Sequence, residues 1–250
     1  MNIRLIHPDW PVPGTVHALV TTRTGGVSRG SFESLNLGDH VGDDPRAVRE
    51  NRERLAVAAE LPSQPLWLDQ RHGSQVVRAV DNAPDRPVAD GVVIHDPGLV
   101  GAILTADCLS VLFAADDGRV VAAAHAGWRG LADGILEATL RSMSVPPRGV
   151  LSWIGPGIGR RAFEIGPEVR QRFVDTDPGA ENCFDRGQQD RWFGDLEGLA
   201  RRRLSQAGVA AIFGGGFCTH TDRDRFFSHR RDGCSGRFAT LIWLSGSPGR

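Results

Sequence analysis

The sequence has 250 residues and a formal net charge of −1, with 40% hydrophobic and 24% charged residues. This balance is typical of a soluble globular protein and excludes a disordered or fibrous chain, and the near-zero charge provides no general field for nucleic acid or an anionic membrane. The sequence contains no lysine and no tyrosine, so all 29 basic residues are arginines. Schiff-base lysine chemistry is therefore excluded, and guanidinium groups are the only permanently cationic side chains available to hold a phosphate or carboxylate.

The termini and cysteines indicate the compartment. The opening "MNIRLIHPDWPVPG" has no apolar run of signal-peptide length, and no later stretch approaches the roughly 18 apolar residues of a membrane span. We therefore expect a cytoplasmic location. The four cysteines are too few for a disulfide scaffold and form no C-x-x-C pair, which predicts reduced thiols.

The N-terminal part is predicted to form a strand, a long loop and a helix. "TVHALVTTR" (residues 15–23) alternates enough to be a strand, and the Gly- and Ser-rich stretch after it exceeds ordinary loop length, which favours a functional role. Asp44 is predicted to cap a helix that has Pro45 at its first position. The inward face of that helix is expected to carry Val48, Leu55 and either Ala58 or Ala59.

Strands dominate the middle of the chain. Residues 66–80 are predicted to form two short strands around a His-Gly-Ser break, and residues 89–128 to form three or four strands with Asp-Pro-Gly and Asp-Asp-Gly turns. Residues 130–143 are predicted to form one helix, because their apolar residues recur at helical spacing. Those residues are Leu131, Ile135, Leu136, Leu140 and Met143.

The C-terminal half continues the alternation of strands and helices. A strand is predicted over 149–155, a helix from Pro167, a helix over 195–208 that ends on Gly208, and a last strand over 237–244. No linker or internal repeat interrupts this order. We therefore predict one α/β domain over residues 1–250, with mixed β-sheets flanked by helices.

Three potential metal ligands lie at strand ends or breaks. His125 ends the apolar run "VVAAAH", Cys108 follows the strand "VGAILTAD", and His72 lies in the break "DQRHGS". No local spacing rule links them, so only the fold could bring them together. Two imidazoles and a thiolate would suit Zn²⁺ with a fourth position open, and the same set also occurs in copper sites.

Other roles for these residues remain open at this stage. Cys108 could be a nucleophile, with either histidine as its base and Asp107 or Asp69 as the orienting carboxylate, or it could be a small buried hydrophobe. Asp107 lies between apolar strands, so its carboxylate needs a cation or a hydrogen-bonded turn.

Two Arg-containing segments could hold an anion. Arg23 precedes two glycines whose backbone N–H groups could approach a phosphate, and "FFSHRRDGCSGR" places Arg230, Arg231 and Arg237 around a second Gly-containing turn. The alternative is that these arginines form surface ion pairs. The "FGGGFCT" segment matches neither the dinucleotide fingerprint nor the P-loop.

Seven motifs together resemble one known family. They occur in the order "TTRTGGVSRGSFESLNLGDHVGDD", "QRHGSQV", "ADGVV", "LTADCLSVLFA", "AAAHAGWRGL", "WIGPGIG" and "FFSHRRDGCSGRFATLIWL". The chain is similar to the YfiH-type family, also called the polyphenol oxidase or laccase-domain family and the peptidoglycan editing factor PgeF. The resemblance covers roughly residues 15 to 244, and several motifs in a fixed order are more specific than any one of them.

The resemblance implies a fold and a metal site. It implies a sandwich of mixed sheets flanked by helices and related to a cysteine-hydrolase toxin fold. It also implies that His72, Cys108 and His125 bind one zinc ion, with Cu²⁺ as the alternative metal. Catalytic roles are assigned to these three residues and to Asp107, with Glu164 a second candidate for proton transfer. Substrate or phosphate binding is assigned to Arg23, Asn36 and Arg231.

The resemblance also implies an activity. The expected reaction is phosphorolysis of adenosine, inosine, guanosine or methylthioadenosine to the free base and (methylthio)ribose 1-phosphate, with adenosine deamination as a side activity. The expected partners are purine nucleosides and phosphate, without nucleic acid or membrane, in a monomer or homodimer.

Three alternative functions are weighed against this activity. A Cys108-dependent hydrolase or amidase could edit peptidoglycan precursors, and a scaffold protein could use a closed zinc site. A copper polyphenol oxidase is disfavoured because no two histidines stand two residues apart.

Overall fold

The computed structural model describes residues 3–209 and 211–246, and its strands form three sheets. The strands, numbered along the chain, are β1 (Leu5–Ile6), β2 (Val16–Thr21), β3 (Leu66–Trp67), β4 (Val76–Arg78), β5 (Gly91–Ile94), β6 (Val100–Thr105), β7 (Leu109–Ala115), β8 (Val121–Ala126), β9 (Val150–Ile154), β10 (Glu164–Ile165), β11 (Phe184–Arg186), β12 (Trp192–Gly194), β13 (Ala211–Gly214) and β14 (Phe238–Leu244).

Two large mixed sheets pack face to face. One sheet has the order β1-β2-β14-β6-β3, and the other has the order β13-β9-β7-β8-β5-β4. Most neighbours are antiparallel, whereas β3 runs parallel to β6, β4 to β5 and β13 to β9. One hydrophobic cluster contains residues of both sheets, among them Ile103, Phe238, Leu112 and Val121, so the facing surfaces form a shared core.

Helices cover the outer faces of the sandwich. The α-helices of the described residues are α1 (Pro45–Ala58), α2 (Trp128–Ala132), α3 (Ile135–Met143), α4 (Pro167–Val174), α5 (Leu196–Gln206) and the short α6 (His229–Asp232), which has no buried residue and lies at the cavity instead. Residues of α3, α4 and α5 pack in a second cluster against the six-stranded sheet, and Leu55 of α1 packs in a third cluster against the five-stranded sheet. These layers confirm the predicted α/β sandwich.

Several predicted elements are confirmed with their caps. The Asp44 side chain accepts a hydrogen bond from the backbone N–H of Arg46 at 2.8 Å, and Pro45 begins α1. On the inward face of this helix Val48 and Leu55 are buried. Between the two alternatives for the next turn, Ala59 packs on the core and Ala58 is exposed. Gly208 follows α5 with a φ of +91°, as expected beyond a helix end.

Two features differ from the sequence prediction. The single helix expected over 130–143 is two helices, α2 and α3, because Gly134 between them adopts a left-handed φ of +89°. Strand β1, the small sheet β10-β12-β11 and strand β13 were not predicted from the sequence. The strands of the small sheet have only two or three residues, too few for an alternating pattern to be visible.

The described helices are all too short or too polar to cross a membrane.

Candidate metal centre

The fold brings His72, Cys108 and His125 together at one end of the sandwich. His72 lies where the chain passes from β3 in one sheet to β4 in the other, and Cys108 lies where it passes from β6 to β7. His125 is the penultimate residue of β8. The β3–β4 and β6–β7 connections pass between the two sheets at the same end of the sandwich, beside the end of β8. The three residues therefore meet although their spacing in the sequence follows no local rule.

The ligand atoms of these three side chains are close enough to bind one ion. One nitrogen from each histidine and the Cys108 sulfur all lie within 4.8 Å of one another. The Cys108 Sγ is 3.8 Å from His72 Nε2, and the two imidazoles meet edge to face with their centroids 4.8 Å apart. His125 is buried, Cys108 is half-buried and His72 is exposed, so the group is open on the His72 side.

A buried aspartate, Asp90, organises both histidines. Its Oδ1 accepts a hydrogen bond from His125 Nδ1 at 2.8 Å and one from the backbone N–H of His72 at 2.9 Å. Because an ionised carboxylate can only accept, Nδ1 of His125 carries the proton and Nε2 is free to bind a metal. Burial alone would raise the pKa of Asp90, but hydrogen bonds, first among them that of His125, hold it below its usual value.

The same carboxylate shapes the loop that carries His72. Asp90 Oδ2 accepts hydrogen bonds from the backbone N–H groups of Arg71 and Gly73, at 3.1 and 2.8 Å. Three successive N–H groups thus converge on one carboxylate, an arrangement typical of an anion-binding nest. His72 adopts a left-handed φ of +61° in this turn. That conformation costs of order 1 kcal/mol for a residue other than glycine, and the Asp90 hydrogen bonds offset it.

Cys108 and His125 form a charged pair. Burial alone would raise the pKa of the Cys108 thiol, but His125 and His72 lower it to about 6. Burial alone would lower the pKa of His125, but the Cys108 thiolate and the Asp90 carboxylate raise it to about 9. Between these values the metal-free protein holds a thiolate beside an imidazolium. The thiolate is the form that binds a metal, whereas the imidazolium must first lose its proton.

Metal binding should therefore depend on pH with a defined sign. Between about pH 6 and pH 9 we expect release of about one proton per metal ion, because His125 must become neutral, and metal affinity should rise about tenfold per pH unit. Calorimetry in buffers of different ionisation enthalpy measures the protons released. Affinity independent of pH over this range would contradict the assigned charge pair.

Gly127 leaves room beside the ligands. A Cβ atom at this position would lie 2.8 Å from Cys108 Sγ and 3.0 Å from His72 Cδ2. Both approaches are closer than a methyl group tolerates, so a side chain here would fill the space next to the ligand atoms. The donor set and this space both fit a metal ion bound by two imidazoles and a thiolate.

Substituting Gly127 with alanine should weaken metal binding. The backbone of Gly127 has φ −66° and ψ 161°, which alanine adopts freely, so the effect should come from the crowded ligands and not from strain. We expect a tenfold or greater loss of metal affinity in a chelator competition. Gly14→Ala is the matched control, since a Cβ there meets nothing within 4 Å. Equal affinities for the two variants would exclude this role.

The ligand group opens into a cavity of about 470 Å³, a size within the range of small-molecule sites. Trp128 and Phe163 contribute aromatic surface to its wall, and Arg129, Arg230 and Arg237 contribute guanidinium groups. The cavity therefore combines stacking surfaces and cations next to a potential metal.

Asp107 lies on the wall of this cavity, but both of its oxygens are already occupied. Oδ1 accepts from the Thr219 hydroxyl at 2.6 Å, and Oδ2 accepts from the backbone N–H of Arg230 at 2.7 Å. Asp107 has a left-handed φ of +95°. Its carboxylate therefore ties the start of α6 to the end of β6, which places Arg230 at the cavity.

The structure does not bring Arg23, Asn36 or Arg231 to the cavity wall. Arg23 donates to the carbonyl of Glu33 and lies over the ring of Phe227.

The Arg231 side chain is 7% exposed and its guanidinium is occupied by Asp232 and by backbone carbonyls. Asn36 is fully buried in hydrogen bonds to the backbone and to a neighbouring carboxylate. Glu164 likewise stands outside the wall; its carbonyl accepts from Arg230.

The role of Asp90 was not predicted from the sequence. The signal was present in "VADGVVI", where a carboxylate directly precedes an apolar strand and so needs partners, the argument applied to Asp107. Its partners lie 17 to 35 residues away, and only the fold reveals them.

Comparison with known proteins places the chain in a family. A family model described as "multi-copper polyphenol oxidoreductase laccase" matches residues 17–245. The chain belongs to this family. The match confirms the resemblance predicted from the motifs.

Curated relatives of this laccase-like family member carry a different activity in their names. A Pseudomonas aeruginosa protein named purine nucleoside phosphorylase PA4543 is 53% identical over 239 residues, which covers 95% of this chain and 97% of that protein. The Escherichia coli purine nucleoside phosphorylase YfiH is 48% identical over 241 residues, with coverages of 96% and 99%. The crystal structure of Neisseria meningitidis protein NMB0706 matches with a TM-score of 0.94 at 46% identity, covering 97% and 99% of the two chains.

The family description names copper chemistry. Among residues 3–209 and 211–246, one group of three or more His, Cys, Asp or Glu side chains lies close enough to hold an ion. A set of two imidazoles and a thiolate suits zinc as well as copper. The described residues therefore provide one candidate centre for a single zinc or copper ion.

Proposed function

We propose that this chain is a zinc-dependent purine nucleoside phosphorylase. It would convert adenosine, inosine, guanosine or methylthioadenosine and phosphate to the free base and (methylthio)ribose 1-phosphate. The observation that carries the proposal is the opening of the His72, Cys108 and His125 group into a cavity that presents both aromatic and guanidinium groups. The activity named for relatives of 42 to 53% identity supports it.

The cavity offers complementary surfaces to the two substrates. The half-buried Trp128 and the buried Phe163 contribute the aromatic part of the wall, against which a purine could pack. The reaction breaks the bond between the base and C1′ of the sugar and forms a bond from a phosphate oxygen to C1′. The base leaves with the electron pair of the broken bond and takes up a proton. Guanidinium groups on the wall can hold phosphate in line with that bond.

Each of the predicted catalytic residues has a defined task in this proposal. His72, Cys108 and His125 would hold the metal, with His125 oriented by Asp90. Bound there, Zn²⁺ would supply a Lewis acid next to the reacting atoms. Asp107 would act by fixing Arg230 on the cavity wall, because its oxygens already accept two hydrogen bonds.

One assay with two arms tests the proposal. Purified protein is incubated with adenosine, with and without phosphate, and adenine, inosine and ribose 1-phosphate are measured. We expect adenine and ribose 1-phosphate in equal amounts only with phosphate. Inosine formed without phosphate would demonstrate the proposed deaminase side activity. If adenosine, inosine, guanosine and methylthioadenosine are each tried with phosphate and none releases its own free base (adenine, hypoxanthine, guanine and adenine, respectively), the phosphorylase is refuted.

A second candidate is a Cys108-dependent hydrolase or amidase. One observation favours it: the Cys108 sulfur contacts the His125 imidazole, and the same imidazole is hydrogen-bonded to the Asp90 carboxylate. This order of nucleophile, base and orienting carboxylate is that of a catalytic triad. A chelator separates the two functions. Removing the metal should abolish phosphorolysis, whereas it should release the thiolate of a hydrolase and increase amide cleavage.

A further inference from the structure

Arg237 presents a half-buried guanidinium to the cavity that contains the metal-ligand group. Its Nη1 donates to the backbone carbonyls of Ser235 and Gly236, at 2.8 and 3.0 Å. Within residues 3–209 and 211–246, Nε and Nη2 of Arg237 donate no hydrogen bond. A partly desolvated cation with two free donors is suited to bind an anion.

The position of Arg237 is fixed from the side away from the cavity. The buried Asn36 accepts a hydrogen bond from the backbone N–H of Arg237 at 2.8 Å. At Gly38 a Cβ would lie 2.8 Å from Arg237 Cγ, so glycine there gives the side chain room to pass. Asn36 and Gly38 thus hold Arg237 in place before any ligand arrives, which lowers the entropy cost of binding.

An unpartnered hydroxyl lies in the neighbouring strand. Thr105 of β6 pairs in register with Phe238 of β14, the residue that follows Arg237, and Thr105 and Arg237 both line the cavity. Thr105 is 1% exposed, and its Oγ1 has no hydrogen-bond partner in the described part of the chain. A buried hydroxyl without a partner is costly in a folded protein, and a bound ligand that accepts or donates a hydrogen bond would satisfy it.

We propose that Arg237 and Thr105 bind the phosphate that attacks C1′ of the nucleoside, in place of Arg23 and Arg231. The inference rests on the proposed function. Nε and Nη2 of Arg237 would donate to two phosphate oxygens, the bidentate geometry that guanidinium groups favour. The Thr105 hydroxyl would donate to a third oxygen.

Kinetics of phosphorolysis, with phosphate varied at saturating adenosine and adenosine varied at saturating phosphate, test this assignment. Arg237→Gln should raise the KM for phosphate tenfold or more and change the KM for adenosine less than twofold, and Arg237→Lys should recover part of the loss. Arg119→Gln is the matched control, because Arg119 is 84% exposed and pairs with Asp117 on a turn. An unchanged phosphate KM in Arg237→Gln, or a tenfold rise in Arg23→Gln instead, would overturn the assignment.

Thr105→Val separates a binding role from a structural one. The valine removes a hydroxyl without changing the side-chain volume much, so the variant should have an equal or higher Tm and a phosphate KM raised several-fold. A merely structural threonine would lower the Tm or leave the phosphate KM unchanged.

Direct binding distinguishes failure of this inference from failure of the proposed function. Equilibrium dialysis of the metal-loaded protein with radiolabelled phosphate needs no turnover. Phosphate bound by the wild type and lost in Arg237→Gln supports the site even if no adenine is ever formed. Adenine formation with equal phosphate binding by both proteins would support the phosphorylase and overturn the site.

Discussion

Replacing Cys108 with alanine is expected to leave a folded protein that has lost its metal and its activity. The thiolate is the one anionic ligand in the group of three. Removing it leaves two imidazoles, too few to hold zinc at an open site. We expect metal content to fall from about one ion per chain to a small fraction, and phosphorolysis to fall by about 10³-fold, which corresponds to about 4 kcal/mol of lost charge stabilisation.

Metal analysis beside a second cysteine variant makes this prediction specific. Cys218 is also half-buried, and its sulfur accepts a hydrogen bond from the backbone N–H of Gly159 at 3.3 Å, outside the ligand group. Cys218→Ala should keep its metal. His125→Ala should lose metal as Cys108→Ala does. Equal metal content in all of these variants and the wild type would refute the three-ligand centre.

Replacing Asp90 with alanine is expected to damage both the metal site and the fold. Four hydrogen bonds end on its buried carboxylate, three from backbone N–H groups and one from His125. Leaving these donors without a partner should lower the free energy of unfolding by about 3 kcal/mol or more. Without the carboxylate, the His125 tautomer and the left-handed turn at His72 are no longer held, so metal affinity should fall 10- to 100-fold or more.

Urea unfolding and chelator competition measure these two effects separately. Asp69→Ala is the control, because its carboxylate pairs with Arg71 close to the same loop but on the surface. An ion pair of this kind stabilises a protein by less than about 1 kcal/mol, so this variant should keep both stability and metal. If Asp90→Ala binds metal as tightly as Asp69→Ala does, Asp90 does not position the metal ligands.

Local sequence patterns predicted the elements that have several residues and clear caps. The Asp44–Pro45 start of α1 and the glycine after α5 needed only local chemistry. Gly134 could have indicated the break between α2 and α3, but glycine inside a helical pattern is also tolerated, so its left-handed φ was not evident from the sequence. The short strands of the small sheet depend on pairing with distant partners, which no local pattern records.

The candidate site also combines features that the sequence predicts with features that only the fold reveals. The positions of His72, Cys108 and His125 at strand ends or breaks were predicted from the sequence. Their convergence was not, because it depends on the chain changing sheets at two of them. The arginines were harder, because a sequence shows a guanidinium but not its partners. The guanidinium of Arg231 donates its hydrogen bonds within the fold. In the same motif, Nε and Nη2 of Arg237 have no partner among the described residues and lie at the cavity.

The central claim is that one metal ion is held by His72, Cys108 and His125, and X-ray absorption at the metal edge of the purified protein tests it most directly. The claim predicts two nitrogen scatterers at about 2.0–2.1 Å and one sulfur at about 2.3 Å for zinc, with a light atom in the remaining position. In Cys108→Ala reloaded with excess metal, the sulfur signal should be absent. A wild-type spectrum without a sulfur neighbour, or with two or more sulfurs, would contradict the claim.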